Sequence, residues 1–135
     1  MNLIKALMVA ASGLKAQGSR MKVIAENLAN SDSLAKTAGG EPYQRKVISF
    51  RNELDRVSGI SEVKVSRIGT DNSPFPKRFD PGHPAADGEG YVQLPNVNTL
   101  VEMSDMREAQ RTYEANLNLV DAAKGMLSRT IELLR

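Results

Sequence analysis

The residues best suited to chemistry in this chain lie in one short run, Asp80-Pro81-Gly82-His83-Pro84-Ala85-Ala86-Asp87-Gly88-Glu89-Gly90. It holds the only histidine and three carboxylates, the raw material of a metal site or of acid/base catalysis. Asp87 and Glu89 are the only local acid pair that could act as the paired carboxylates of a glycan-cutting enzyme. The spacing argues against both readings. Zinc needs His or Cys in numbers this chain lacks, with one His and no Cys, and the acids do not follow the alternating oxygen ligands of a calcium loop. Pro and Gly here are turn formers, so His83 is expected in a loop, making local hydrogen bonds. No phosphate-binding loop, dinucleotide fingerprint, zinc-protease helix or nucleophile elbow occurs. No catalytic residue, metal or cofactor is expected.

The elements that would have to position any site are unusual. The chain has 135 residues but only three Phe, three Tyr and no Trp, enough length for one domain and few bulky core fillers. Its apolar residues are mostly Ala, Leu, Val, Ile and Met, which build helices. The net charge of +2 is too small for a nucleic-acid footprint. It is unevenly spread: residues 1–78 carry 13 basic and 7 acidic side chains, residues 79–135 carry 5 and 9.

From residue 1 to about 30, Leu3, Ala10, Gln17 and Ile24 recur every seven residues, as do Leu7, Leu14, Met21 and Leu28. After Pro95 the same alternation of three and four runs through Met103, Met106, Gln110, Tyr113, Leu117, Val120, Lys124, Leu127, Ile131 and Leu134. Both patterns predict long coiled-coil helices, 1–30 and 97–135, the second capped by Asn96 or Asn98. Gln17, Gln110 and Lys124 are either tolerated defects or register devices in the seam. Helices of about 45 and 55 Å do not fit a globule of this size, so an elongated molecule is expected. Small apolar residues off the seams leave a second face for further helices.

Residues 31–96 hold seven of the ten glycines and read as loops with short strands at Tyr43–Arg51, Glu62–Arg67, Phe75–Phe79 and Gly90–Leu94. Asn27 to Asn30 read as a helix C-terminus in which Asn accepts the left-handed conformation. Tyr43 to Lys46 read as a solvated strand edge defended by charge. The fold class is mainly α with a small β insert, its N- and C-terminal helices forming a coiled-coil-like, elongated pair.

Ala11-Ser12-Gly13-Leu14-Lys15-Ala16-Gln17 and Ala25-Glu26-Asn27-Leu28-Ala29-Asn30 resemble the N-terminal signature of bacterial flagellar rod and hook proteins. The run from Asp80 to Asn98, and that from Glu102 to Asn116, are similar to the short proximal-rod members of that family, as is the extension from Ser31 to Glu41. The resemblance implies a structural subunit of the proximal rod in the periplasm, assembled helically from copies of itself and other flagellar rod proteins into a torque-transmitting shaft. It implies terminal helices lining an inner tube, residues 31–96 as a small outer domain, and delivery by the flagellar type III export apparatus without a cleaved signal peptide. No nucleic-acid partner and no direct membrane span are expected.

The assembly surface is then expected at Leu3, Leu7, Leu14, Met21, Ile24 and Leu28 with Tyr113, Leu117, Val120, Leu127, Ile131 and Leu134. The alternative is a cytoplasmic coiled-coil adaptor or secretion chaperone working as a folded dimer. A nucleic-acid binder would need Lys5, Lys15, Arg20, Lys22, Arg45, Lys46 and Arg51 on one face, and the acidic second half opposes it.

Overall fold

The computed structural model describes residues 2–135. Two helices, α1 (Leu3–Ala29) and α2 (Thr99–Leu133), enclose four strands in sequence: β1 (Lys46–Asp55), β2 (Ile60–Thr70), β3 (Lys77–Phe79) and β4 (Tyr91–Gln93). The expected order of helix, small β insert and helix is found. Asn2 opens α1 by accepting the Ile4 amide at 3.0 Å. Asn98 opens α2, its Oδ1 accepting the amides of Leu100 at 3.1 Å and Val101 at 3.4 Å. Asn96 is not a cap. Among the described residues no helix is long and apolar enough to cross a membrane.

The strands form two separate two-stranded sheets, β1 with β2 and β3 with β4. β1 starts and ends later than the expected Tyr43–Arg51, β2 at 11 residues extends the expected Glu62–Arg67 at both ends, and β3 and β4 are shorter than expected. The middle positions of β1 and β2 are charged on solvent-facing sites, where Lys64 donates to Glu53 at 2.9 Å across the strands, so polarity there marks exposure rather than a break. The turn between them closes with Gly59 donating to the Asp55 carbonyl at 2.8 Å, and Gly59 has a φ of 69°. In the second sheet Lys77 faces Gln93 and Phe79 faces Tyr91, antiparallel. The Phe79 and Tyr91 rings meet edge to face at 5.3 Å.

The chain divides into two compact units. Unit one comprises residues 1–21, 48–67 and 107–135. Its buried apolar residues are Ala10, Ala16, Ile60, Ala109 and Ala123. Here the first part of α1 runs antiparallel to α2: Gly13 lies against Asn116, and Arg20 pairs with Glu108 at 3.5 Å. The hairpin reaches α1 where the Val63 amide donates to Ser12 Oγ at 3.3 Å. A methyl group at Gly13 would come within 2.9 Å of Asn116 Nδ2, whereas one at Gly18 would meet nothing within 4 Å. Gly13→Leu is therefore expected to cost about 1–3 kcal/mol by overpacking. Gly18→Ala is expected to stabilise the free chain by about 1 kcal/mol through helix propensity. Urea denaturation of the two variants checks the opposite signs.

Unit two comprises residues 22–47 and 68–106. Val23, Ile24, Ala85 and Val92 are its buried apolar residues, joined by two buried polar ones, Asn27 and Glu102.

Candidate assembly surface

In unit two the polar pair Asn27 and Glu102 is what fixes the elements. Asn27 behaves like a strand residue set on a helix: its Oδ1 accepts the Lys46 amide at 2.9 Å and its Nδ2 donates to the Lys46 carbonyl at 2.9 Å. The Tyr43 hydroxyl donates to the same Oδ1 at 2.8 Å, and Nδ2 also reaches Glu102 at 3.4 Å. The Glu102 carboxylate, 1% exposed, takes the Arg45 guanidinium. Arg45 also pairs with Asp71 at 3.2 Å. Asn96 repeats the device: its Oδ1 accepts the Arg45 amide at 2.7 Å and its Nδ2 donates to the Asp71 carbonyl at 2.9 Å. Two asparagine amides thus satisfy backbone groups where β1 and β2 enter the unit, groups that would be costly to bury unpaired.

Two readings of the sequence change here. Tyr43, Arg45 and Lys46 are not a solvated edge; they are engaged by Asn27, Glu102 and Glu26, the last accepting from Lys46 Nζ at 2.9 Å. Asn27 to Asn30 close α1 without left-handed geometry, since no non-glycine among the described residues has a positive φ. Asn30 instead donates to the Glu26 carbonyl at 2.9 Å and accepts from Ser33.

Two carboxylates beside this network are held ionised by their partners. The Ser73 hydroxyl and amide, and then Arg45, hold the Asp71 carboxyl below its ordinary range, and the Lys46 hydrogen bond does the same for Glu26. A carboxylate with a depressed folded-state pKa adds stability that is complete above the unfolded value near 4 and is lost as pH falls through the folded one. The urea midpoint is therefore expected to fall on acidification below about pH 4. Asp71→Asn should flatten that acid limb by lowering the plateau above about pH 4, where the ionised carboxylate contributes, with little change below it.

The loop with the single histidine is held by its own hydrogen bonds. His83 Nδ1 accepts the Ala85 amide at 3.0 Å, and Asp87 accepts the amides of Glu89 at 2.9 Å and Tyr91 at 3.0 Å. Among the described residues no three His, Asp or Glu side chains are placed to hold a metal.

The helix faces are the remaining candidate surface. In both units the line of contact between helices passes through Gly13 and Asn116, Arg20 and Glu108, or Asn27 and Glu102. It lies one residue to the side of half the stripe that the large residues mark. Ile24 is buried on it. Leu3, Leu7, Leu14, Met21 and Leu28 are half-buried on its flank, as are Tyr113 and Val120 on α2. Leu117, Leu127, Ile131 and Leu134 are exposed, the last at 82%. Gln110 and Lys124 face solvent, while Gln17 Oε1 is buried without a hydrogen-bond partner. Small side chains explain the offset: Ala10, Gly13, Ala109 and Ala123 let the backbones approach, and bulk is displaced sideways. Residue for residue from Gly13 and Asn116, Leu3 comes opposite Met126, so the last turns of α2 have no α1 beside them. There Ile131, Leu133 and Leu134 stand in water. Met8 and Val9 on α1 and Met126 on α2, on the second face expected off the seams, are exposed, and so are Ile4, Leu100, Val101 and Leu119, which the periodicity did not single out.

Comparison with known proteins agrees with these elements. A family described as flagella basal body rod protein matches residues 7–33, and one described as flagellar basal body rod FlgEFG protein C-terminal matches residues 89–133. These segments include Asn27, Asn96 and Glu102, and leave Arg45 and the β1–β2 hairpin outside. The chain is 47% identical over 127 residues to the flagellar basal-body rod protein FlgC of Agrobacterium fabrum, covering 94% of this chain and 91% of the relative. It is 42% identical to the FlgC of Bacillus subtilis, covering 98% and 99%. Against the FlgC of Salmonella typhimurium it is 35% identical, covering 98% of each.

Proposed function

This chain belongs to the FlgC family of flagellar basal-body rod proteins, and on that premise we propose how it works as a structural subunit of the rod. Its two helices pair as an elongated coiled-coil-like unit. Residues 1–30 and 97–135 line the inner tube of the proximal rod, and residues 31–96 form a small outer domain. Copies of the chain and other rod proteins stack head to tail in an open helix, since a heterologous interface that does not close makes a filament. The half-buried stripe of Leu3, Leu7, Leu14, Met21 and Leu28, with Tyr113, Leu117, Val120, Leu127, Ile131 and Leu134, is where neighbours seat.

The observation that carries this reading is the exposed end of α2, where Ile131, Leu133 and Leu134 are 51%, 85% and 82% exposed. Covering such a side chain is worth about 1.5–3 kcal/mol each, a strong drive towards association. The assembled shaft transmits torque, and the subunits reach the periplasm through the flagellar export apparatus without a cleaved signal peptide. Its relatives are named as rod proteins, and no enzymatic step is assigned.

Deleting residues 1–30 tests the reading. Cells whose own copy is replaced by the truncated chain are expected to retain it in the cytoplasm and to be non-motile. Export and motility that survive the deletion contradict it, as would a full-length chain that forms a stable dilute dimer with both termini protected from protease.

A further inference from the structure

Resting on the rod reading, we infer that the outer face of α1 is a docking surface for α2 of a second copy of this chain, held in register by Lys15 against Asp121 and Lys22 against Glu114. The outer face of α1 is a stripe of Ile4, Met8, Ala11, Lys15, Gly18 and Lys22, in alternating steps of four and three. That is the spacing of a helix face which meets another helix along its length. All six are exposed except Gly18, where an added methyl group would meet open space. The only charges on the stripe are Lys15 and Lys22, and α1 carries no carboxylate before Glu26.

The outer face of α2 repeats the spacing in Glu114, Asn118, Asp121, Gly125, Ser128 and Glu132, all exposed. The two faces match in pitch, and in charge at Lys15 and Lys22 against Glu114 and Asp121. Lys15 and Lys22 are seven residues apart, as are Glu114 and Asp121, about 10.5 Å along each axis. Among the described residues none of the four has an ion-pair partner within the chain.

Direction follows from symmetry. Copies related by rotation about, or translation along, an axis parallel to the helices keep every α1 pointing one way and every α2 the other. An α1 beside a neighbour's α2 is then antiparallel, as within unit one. Antiparallel pairing of Lys15 with Asp121 puts Lys22 opposite Glu114, Ala11 opposite Gly125 and Gly18 opposite Asn118. The helix-interior glycines, both without a neighbour within 4 Å of an added methyl group in the single chain, fall where a second backbone would come closest. Within the chain Gly13 meets Asn116; the pairing between copies is therefore staggered from the internal one by seven residues, a single heptad. The charged pairs set register, and the small residues set the distance.

Engineered cysteines test the pairing cleanly, because the chain has none of its own. In cells whose own copy is replaced, a chain carrying Lys15→Cys and Asp121→Cys is expected to give disulfide-linked dimers and longer ladders in isolated basal bodies after mild oxidation. Lys15→Cys with Glu114→Cys is expected to give none. A second arm reverses charge: Lys15→Glu/Lys22→Glu and Glu114→Lys/Asp121→Lys should each lower incorporation about tenfold or more. Co-expressing the two should restore it, because each supplies the face the other lacks. Chain present in basal bodies with no ladder, a ladder from the parallel pair, or a cross-link to a different protein overturns the inference while leaving the rod reading intact. Absence of the unmodified chain from basal bodies overturns the rod reading, and this inference with it.

Discussion

Replacing Glu102 with Ala is expected to lower the stability of the folded chain by about 3 kcal/mol, the low end of what removing one partner of a buried ion pair costs. The carboxylate is 1% exposed and is the one group that joins α2 to both Arg45 and Asn27. Its loss leaves the Arg45 guanidinium partly desolvated. The cost stays at the low end because Arg45 is a quarter exposed and keeps Asp71. Asn27→Ala should cost about 2–3 kcal/mol, since it unpairs the amide and carbonyl of Lys46 and the Tyr43 hydroxyl together. The two changes touch one network, so the double variant should lose less than the sum of the singles. Urea denaturation of the four chains measures this; strict additivity would show that the residues act separately.

The second large effect falls on assembly and leaves folding alone. Ile131→Asp with Leu134→Asp changes side chains that are 51% and 82% exposed. The stability of the free chain should move by less than about 0.5 kcal/mol. If a neighbouring subunit covers both positions, the pair forfeits about 3–6 kcal/mol of association, a loss of a hundredfold or more in affinity. Motility and recovery of the chain in basal bodies should disappear, with the far-ultraviolet circular dichroism unchanged. Ala109→Asp is the contrasting case: Ala109 is fully buried within unit one, so folding and assembly should fail together.

These expectations also mark what was legible in the residues. Period and length gave both helices to within two residues of their ends, because Leu and Met at three- and four-residue steps leave no other periodic reading. The stripe of bulk did not coincide with the line of contact. Large side chains show that a face must be covered, but close approach is made by Gly13, Ala10, Ala109 and Ala123, which carry little hydrophobic signal. The role of Asn27 could not be seen locally either. Its partners lie 19 residues away at Lys46 and 75 away at Glu102. The side chain does the work of a peptide group, which no helix or strand propensity encodes. The expected strands stopped at Arg51 and resumed at Glu62, whereas β1 runs to Asp55 and β2 starts at Ile60, because Glu53 looks like a break until it faces Lys64 across the strands. The scarcity of aromatic residues pointed the right way. Unit one has a core of four alanines and one isoleucine, while 19 large apolar side chains are exposed among the described residues.

In the assembled rod, neighbouring subunits are expected to cover the apolar end of α2. The direct measurement is the rate at which a thiol reagent labels Ile131→Cys, in the free chain and in isolated basal bodies, with no native cysteine to interfere. Fast labelling of the free chain is expected, with a slowing on the order of tenfold or more in the basal body, as for a side chain in a packed interface. Equal rates in the two, with the chain present in the basal body, would contradict it.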